Sequence, residues 1–258
     1  MKVYFIGAGP GAADLITVRG AEILRRADLV LYAGSLVSDD ILQYCREETT
    51  CVNTAGLHLE QQLEWYRQAQ QHDWLVARVH SGDPAIYGAT AEQMRHLREW
   101  GVDFEIVPGV SSFTAAAACF GAELTKPSVA QSIILTRTTG RASGVPEREA
   151  LAELAAHQTT LCIFLSGPHL ASMVADLCQH YPDDTPIWLI QKATWPQERK
   201  HQSTLATVLD EVNPQEWALS TMILVGEVLR EELPDVSRLY SSQYTHRFRR
   251  REKSLTEA

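Results

Sequence analysis

The chain has 258 residues, a formal net charge of −9, and a composition that is 45% hydrophobic and 21% charged. These values fit a globular protein with a full core and argue against a general nucleic-acid binder, which would carry a broad positive surface. Every apolar run falls short of the roughly 20 residues that a membrane-spanning helix requires.

The first half of the chain alternates short apolar runs with amphipathic stretches. The apolar runs predict strands at residues 3–6, 29–32, 75–79 and 104–107. The amphipathic stretches predict helices near 18–27, 59–71 and 89–100. Alternation of strand and helix predicts a mainly parallel sheet that is covered by helices.

A second set of elements follows Pro127. It comprises predicted strands at 133–136, 161–165, 187–190 and 222–225, and predicted helices near 147–156, 169–180 and 204–212. We therefore expect two α/β domains, residues 1–120 and 131–240, joined by a linker at 121–130. Ligands of such folds bind beyond the carboxyl ends of the strands. The basic stretch 241–258 is expected to be a solvated, partly disordered tail.

The cysteines are scattered and odd in number, and none lies in a CxxC pair: Cys45, Cys51, Cys119, Cys162 and Cys178. This spacing favours reduced thiols over a disulfide framework or a zinc site. No charged-then-apolar leader precedes the first predicted strand. We therefore expect a cytoplasmic protein with no metal, nucleic-acid or membrane partner.

The first glycine-rich turn follows the first predicted strand and reads Gly7-Ala8-Gly9-Pro10-Gly11-Ala12. It matches the dinucleotide pattern GxGxxG/A in form, but Pro10 lacks the N–H that a pyrophosphate site would use. The second predicted strand ends in Tyr32-Ala33-Gly34, without the acidic residue that holds an adenosine ribose. These two features argue against a nicotinamide cofactor.

Three further turns rich in small residues follow predicted strands. They are "VHSGDPAIYGA" at 79–89, "IVPGVSSFTAAAA" at 106–118 and "FLSGPHL" at 164–170. Turns that recur at the same end of several strands predict one cleft that they line together.

These motifs resemble those of the tetrapyrrole methylase family, from residue 1 to about 240. The resemblance lies in "GAGPG" at 7–11 with "DLIT" at 14–17, "SGDP" at 81–84, and "VPGVSS" at 107–112. Within the family, "YAGSLV" at 32–37 and "LTRTTGRAS" at 135–143 resemble the branch that methylates precorrin-4 at C11. Two departures occur, since Ala12-Ala13-Asp14 replaces an immediate Asp and Ser81 replaces a common glycine.

The resemblance implies two α/β domains of the tetrapyrrole methylase type, with S-adenosylmethionine bound in the cleft between them. It implies cofactor contacts at Pro10, Gly82, Asp83, Ile86, Ser111, Ser112, Leu165, Ser166, Ala193, Thr194, Thr221 and Met222. Asp83 also suits a turn before Pro84, and the two serines also suit a helix cap. The family usually forms homodimers, so a homodimer is expected.

The implied acceptor is a tetrapyrrole with acetate and propionate groups, so an acidic protein must supply local positive charge. The candidates are Arg137, Arg141, Lys126 and Lys192. Arginine suits two-pronged carboxylate binding, which favours Arg137 and Arg141.

Methyl transfer from an activated sulfonium requires alignment and exclusion of water more than a set of catalytic side chains. The sequence agrees, because Gly109-Val110-Ser111-Ser112-Phe113 lacks the last glycine of a nucleophile elbow. The expected reaction is methylation of precorrin-4 at C11 to give precorrin-5. The alternatives are cobalt-precorrin-4 or another tetrapyrrole carbon as acceptor, a nicotinamide-dependent oxidoreductase, and a nucleotide-binding regulatory module.

Overall fold

The protein is described by a computed structural model, which covers residues 1–140, 144–231, 244, 245, 247 and 249. Within these residues, ten strands form two five-stranded sheets. The strands are β1 (Lys2–Gly7), β2 (Leu29–Tyr32), β3 (Thr50–Asn53), β4 (Leu75–His80), β5 (Asp103–Val107), β6 (Ile133–Arg137), β7 (Thr160–Phe164), β8 (Pro186–Gln191), β9 (Arg199–Thr204) and β10 (Thr221–Val225). The α-helices are α1 (Val18–Leu24), α2 (Leu59–Gln71), α3 (Ala91–Glu99), α4 (Ser112–Phe120), α5 (Leu151–Ala155), α6 (Leu170–Leu177) and α7 (Val208–Glu211).

The first sheet has the strand order β3-β2-β4-β1-β5, and all four pairings are parallel. This confirms the expected parallel sheet and brings the carboxyl ends of its five strands to one edge. The edge strand β3 was not predicted. Its sequence, Thr-Cys-Val-Asn, contains no run of apolar residues, and its side chains alternate between half-buried and exposed.

The second sheet has the order β6-β7-β10-β8-β9, and only its β6–β7 pair is parallel. Because β10 runs opposite to β7 and β8, its amino end lies beside their carboxyl ends. The segments at 137–138, 165–166, 192–194 and 220–221 therefore share one edge. The edge strand β9, Arg-Lys-His-Gln-Ser-Thr, was not predicted because it contains no apolar residue.

Helix α4 ties the two halves of the molecule together. It follows β5 of the first sheet, yet Ala115, Ala116 and Ala117 pack in one core cluster with Met222 and Leu224 of the second sheet. The small alanine side chains allow the helix to lie close to β10. The opposite face of the second sheet is covered by α5, α6 and α7.

The division into domains at 121–130 stays a prediction. The predicted linker contains a turn in which Lys126 and Ala130 are bridged. Most of the predicted tail lies outside the described residues. No helix in the described part of the chain is both long and apolar enough to cross a membrane.

Candidate functional site

Three glycines meet where β1, β4 and β5 end. A Cβ added to Gly109 would lie 2.2 Å from the carbonyl oxygen of Gly82, and a Cβ on Gly7 would lie 2.6 Å from the Cα of Gly109. The Ala8 amide donates to the His80 carbonyl at 2.8 Å, which holds the first glycine-rich turn beside the end of β4. Gly7 and Gly109 are therefore required for close backbone packing. We call these three residues the glycine junction.

Asp83 connects two of these loops through its carboxylate. One oxygen accepts from the Ala85 amide at 2.7 Å, and the other accepts from the Gly109 amide at 2.9 Å. The first hydrogen bond forms the turn that was expected at Asp83-Pro84. The second connects that turn to the loop after β5. Gly82 adopts a φ of +61°, with the nearest atoms to an added Cβ at 3.6 Å. Backbone conformation, not space, favours glycine there.

The first glycine-rich turn faces the second sheet. The indole Nε1 of Trp195 donates to the Pro10 carbonyl, and the Ala12 amide donates to the Thr194 hydroxyl, both at 3.0 Å. A Cβ on Gly11 would lie 2.0 Å from Trp195 Cδ1. This turn therefore packs against another part of the chain and does not present an open ring of amides.

The end of β2 gives no support to the nicotinamide alternative. The Gly34 amide donates to the Asn53 side-chain oxygen at 3.1 Å, so the side chain that binds the end of β2 is a neutral amide and not the carboxylate that holds a ribose.

Helix α4 begins beside Gly82. The Ser112 nitrogen lies 3.6 Å from the position of an added Gly82 Cβ. Ser111 occupies the N-cap position and is buried, but its side chain makes no capping hydrogen bond, contrary to expectation. Among the described residues no side chain accepts from the first amides of α4, so these amides can receive an anion.

The edge of the second sheet places the other predicted residues together. The buried Ser166 hydroxyl donates to the Phe164 carbonyl at 2.7 Å and accepts from the Thr138 amide at 2.9 Å. The Lys192 amide donates to the Ser220 carbonyl at 2.9 Å. These bonds join the ends of β6 and β7, and those of β8 and β10. The Ser166 side chain thus holds the loops in place.

Left-handed backbone is concentrated on these loops. The non-glycine residues with φ between +49° and +68° include Tyr87, Ala89, Leu165, Lys192, Thr194 and Ser220. Each such residue costs of order 1–3 kcal/mol and persists where surrounding contacts hold it, which is typical of ligand-binding loops.

Apolar groups line the space between the two edges. Ile86 and Met222 belong to the same cluster as α4. Tyr87 lies with its ring centroid 5.0 Å from that of Phe164. Tyr87 and Leu165 remain 45% and 62% exposed, so they offer apolar surface to a ligand.

The structure describes three of the four predicted basic residues and places two of them, Arg137 and Lys192, at this edge of the second sheet. The guanidinium of Arg137 donates to the carbonyls of Thr138 and Gly144 at 3.3 and 3.1 Å. Burial raises the pKa of Tyr87, and the nearby charge of Arg137 opposes that rise. Lys192 shares this edge, whereas Lys126 donates to the Arg230 carbonyl beyond the other end of β10. Arg141 lies outside the described residues.

The predicted cofactor residues thus form two facing groups, one at each sheet edge. Sequence reasoning missed Trp195 and Glu198, which join the edges, and Tyr87, which lies between them. The sequence feature that could have indicated Trp195 and Glu198 is the turn after β8, "KATWPQE" at 192–198, which combines polar residues with a tryptophan.

His80 lies beneath the "SGDP" turn at the end of β4. Its ring is 6% exposed, and Nε2 has no hydrogen-bond partner within the described part of the chain. Burial, followed by the charge of Arg78, lowers the pKa of His80 to about 3. The imidazole is therefore neutral at physiological pH, and its low pKa makes it a weak base.

We expect the protein to lose stability as the pH falls below 6.5. His80 is then protonated in the unfolded chain but stays neutral in the folded protein until the pH approaches 3, so acid favours the unfolded state. The loss attributable to His80 should reach about 3 kcal/mol near pH 4. Urea unfolding of the wild type and of His80→Gln at pH 7 and pH 4 measures it as the difference between the two pH responses. Parallel responses would refute this assignment.

Comparison with known sequences shows which family of proteins this chain matches. The family described as Tetrapyrrole (Corrin/Porphyrin) Methylases matches residues 2–209. The precorrin-4 C(11)-methyltransferase of Pseudomonas aeruginosa is 47% identical over 249 residues, which cover 96% of this chain and 99% of that protein. The cobalt-precorrin-4 C(11)-methyltransferase of Priestia megaterium is 43% identical, with 98% of this chain and 100% of that protein covered.

Comparison with solved structures also finds methyltransferases that act on tetrapyrroles. A cobalt precorrin-4 methyltransferase has a TM-score of 0.85 at 44% identity, covering 89% of this chain and 96% of its own. The uroporphyrin-III C-methyltransferase from Thermus thermophilus, complexed with S-adenosyl homocysteine, has a TM-score of 0.73 at 26% identity, covering 89% and 94%.

Proposed function

The chain belongs to the tetrapyrrole methylase family, and on this premise we propose that it methylates precorrin-4 at C11 to give precorrin-5 in cobalamin biosynthesis. S-adenosylmethionine is the methyl donor. The observation that carries the proposal is the 47% identity to a precorrin-4 C(11)-methyltransferase over 96% of this chain. The nicotinamide alternative finds no support.

The residues between the two sheet edges fit this donor. The uncapped start of α4, next to Gly82, suits the carboxylate of its amino-acid part. The backbone at Gly82 is bare, so a ligand can approach it closely. From the second sheet, the backbone at Leu165, Ala193 and Thr194 supplies the opposite wall. Ile86 and Met222 add apolar surface, and Pro10, Asp83, Ser111, Ser112, Ser166 and Thr221 complete the proposed set.

The bound donor supplies a methyl group that is already activated by the positive sulfur. What remains for this chain is to align the acceptor carbon with that methyl group and to exclude water, which can contribute about 7–11 kcal/mol. The glycine junction and the loops joined by Ser166 fix the two edges in position. Tyr87 and Leu165 offer apolar surface on which a macrocycle can rest.

The carboxylates of the acceptor are assigned to the basic residues of the same edge. Arg137 is held at the end of β6 by the carbonyls of Thr138 and Gly144, so its guanidinium is pre-organised for a carboxylate. Lys192 lies at the same edge after β8, with β7 and β10 between it and β6. Arg141 is also proposed to bind the acceptor, on its sequence position alone. Lys126 is not, because its ammonium lies beyond the opposite end of β10.

Cobalt-precorrin-4 is the second candidate acceptor. It is favoured by the TM-score of 0.85 to a cobalt precorrin-4 methyltransferase. Any cobalt would belong to the substrate. We further propose that the enzyme works in the cytoplasm, which its scattered free cysteines support, and that it forms a homodimer, as the family resemblance implies.

We expect S-adenosylhomocysteine to raise the melting temperature, since a ligand of the folded state stabilises it by about 2.7 kcal/mol at one hundred times its dissociation constant. NAD and NADP should leave the melting temperature unchanged. Differential scanning fluorimetry with the three ligands measures this. A shift with NAD and none with S-adenosylhomocysteine would contradict the proposed function.

A further inference from the structure

The loop between β8 and β9, residues 192–198, bridges the two sheets; we call it the clamp loop. Within it the Trp195 amide donates to the Lys192 carbonyl at 2.9 Å, and the Glu198 amide donates to the Trp195 carbonyl at 3.0 Å. Its contacts with Pro10 and Ala12 join segments more than 180 residues apart in the chain. The clamp loop therefore fixes the distance between the glycine-rich turn and the second sheet.

The conformation of the clamp loop requires outside support. Thr194 has a φ of +68°, which is unfavourable for a β-branched residue. Its amide donates to the Glu198 carboxylate at 2.8 Å, and its hydroxyl accepts from Ala12. The carboxylate thus binds the backbone of the one residue that is strained and that also contacts the first sheet's turn.

Glu198 is itself held by neighbours on two elements. The oxygen that binds Thr194 also accepts from the Cys119 thiol at 3.2 Å, at the end of α4. The other oxygen lies 3.1 Å from the ammonium of Lys200, which donates to the Cys119 carbonyl at 2.6 Å. Burial raises the pKa of Glu198, but these hydrogen bonds outweigh it, so the net pKa is lowered. The group is a carboxylate at neutral pH.

We infer that Glu198 is a positioning residue for cofactor binding: it holds Thr194 in the left-handed conformation and thereby keeps the glycine-rich turn against the clamp loop. Glu198 favours cofactor binding because a ligand that contacts both sheet edges binds more tightly when the distance between the edges is pre-organised. The cofactor part of this inference rests on the proposed methyltransferase function.

The effects of side-chain length and of negative charge at position 198 can be separated with two substitutions. Glu198→Gln keeps the length and one oxygen acceptor for the Thr194 amide, whereas Glu198→Asp keeps the charge but shortens the side chain by one methylene. A positioning role predicts that Gln resembles the wild type and that Asp resembles Ala. The control is Glu216→Ala, which removes a surface carboxylate paired with Arg199 at 3.3 Å.

Two readouts are needed, and the first is independent of any ligand. The six tryptophans are replaced with 5-fluorotryptophan, and the ¹⁹F resonance of Trp195 is assigned with Trp195→Phe. Glu198→Ala and Glu198→Asp should move this resonance, because the indole loses its fixed place beside Pro10. Glu198→Gln and Glu216→Ala should leave it in place.

The second readout is the dissociation constant of S-adenosylhomocysteine by calorimetry. It should rise about tenfold in Glu198→Ala and Glu198→Asp, as expected when the hydrogen bond that holds the Thr194 amide is lost, and stay within about threefold of the wild type in Glu198→Gln, which retains an acceptor at that distance. If the Ala variant does not fold, the Asp and Gln pair decides. An unmoved resonance and unchanged affinity in Glu198→Asp would overturn the inference. A wild type that binds no S-adenosylhomocysteine would overturn the proposed function, and the ¹⁹F spectra would still test the clamp.

Discussion

Gly109→Ala is expected to lower the free energy of unfolding by about 3 kcal/mol and to abolish binding of S-adenosylhomocysteine. The new Cβ would lie 2.2 Å from the Gly82 carbonyl oxygen and 2.7 Å from the Gly7 Cα, and all of these neighbours are backbone. No side-chain rotation can relieve the overlap, so the loops after β1, β4 and β5 must separate. Separation moves the start of α4 away from Gly82, and the proposed carboxylate site is lost.

Two matched variants isolate the cause. Gly82→Ala meets no atom closer than 3.6 Å but must adopt a φ of +61°, so it should cost only the strain of about 1–2 kcal/mol. Gly56→Ala has nothing within 4 Å and should be nearly neutral. Urea unfolding and calorimetry on the three variants give the ranking. If Gly109→Ala were as stable as Gly56→Ala, the glycine junction would not be a site of close packing.

Arg137→Ala should raise KM for precorrin-4 about tenfold or more while leaving the affinity for S-adenosylhomocysteine nearly unchanged. A charge-assisted hydrogen bond to a carboxylate is worth roughly 1.5–3 kcal/mol, and partial exposure of Arg137 places the effect at the lower end. Arg137→Lys should restore only part of the loss, because an ammonium cannot form the planar two-pronged contact. Added salt should weaken binding to the wild type more than to the Ala variant.

Lys126→Ala is the control for this experiment. Its ammonium is bound to the Arg230 carbonyl beyond the far end of β10, so its loss should leave KM unchanged. Equal KM values for the wild type and Arg137→Ala would make Arg137 a simple surface charge. Equal increases in Arg137→Ala and Lys126→Ala would indicate a general electrostatic effect and not a local contact.

Four strands of the first sheet could be predicted because their signals are local. Apolar runs such as that of β1 and the helical spacing of α2 are read within a few residues, and both appeared at the expected positions. The edge strands β3 and β9 could not be predicted in this way. Their hydrogen-bond partners, and not their own composition, make them strands.

The reasons for individual glycines could not be predicted from the sequence. The turn at 7–12 looks like a phosphate-binding loop, but Gly11 is required by the indole of Trp195, which lies 184 positions further along the chain. Asp83 was expected at the cofactor and in a turn before Pro84, but its second hydrogen bond, from the Gly109 amide, was not predicted. Such contacts depend on how distant segments fold together, and no pattern within a short window encodes them.

The position of the transferred methyl group tests the central proposal most directly. The purified protein is incubated with S-adenosylmethionine carrying a ¹³C-labelled methyl group and with precorrin-4, and the product is examined by NMR. Our account predicts one new labelled methyl group attached to ring carbon C11. Label on another ring carbon, or no transfer to either precorrin-4 or cobalt-precorrin-4, would contradict it.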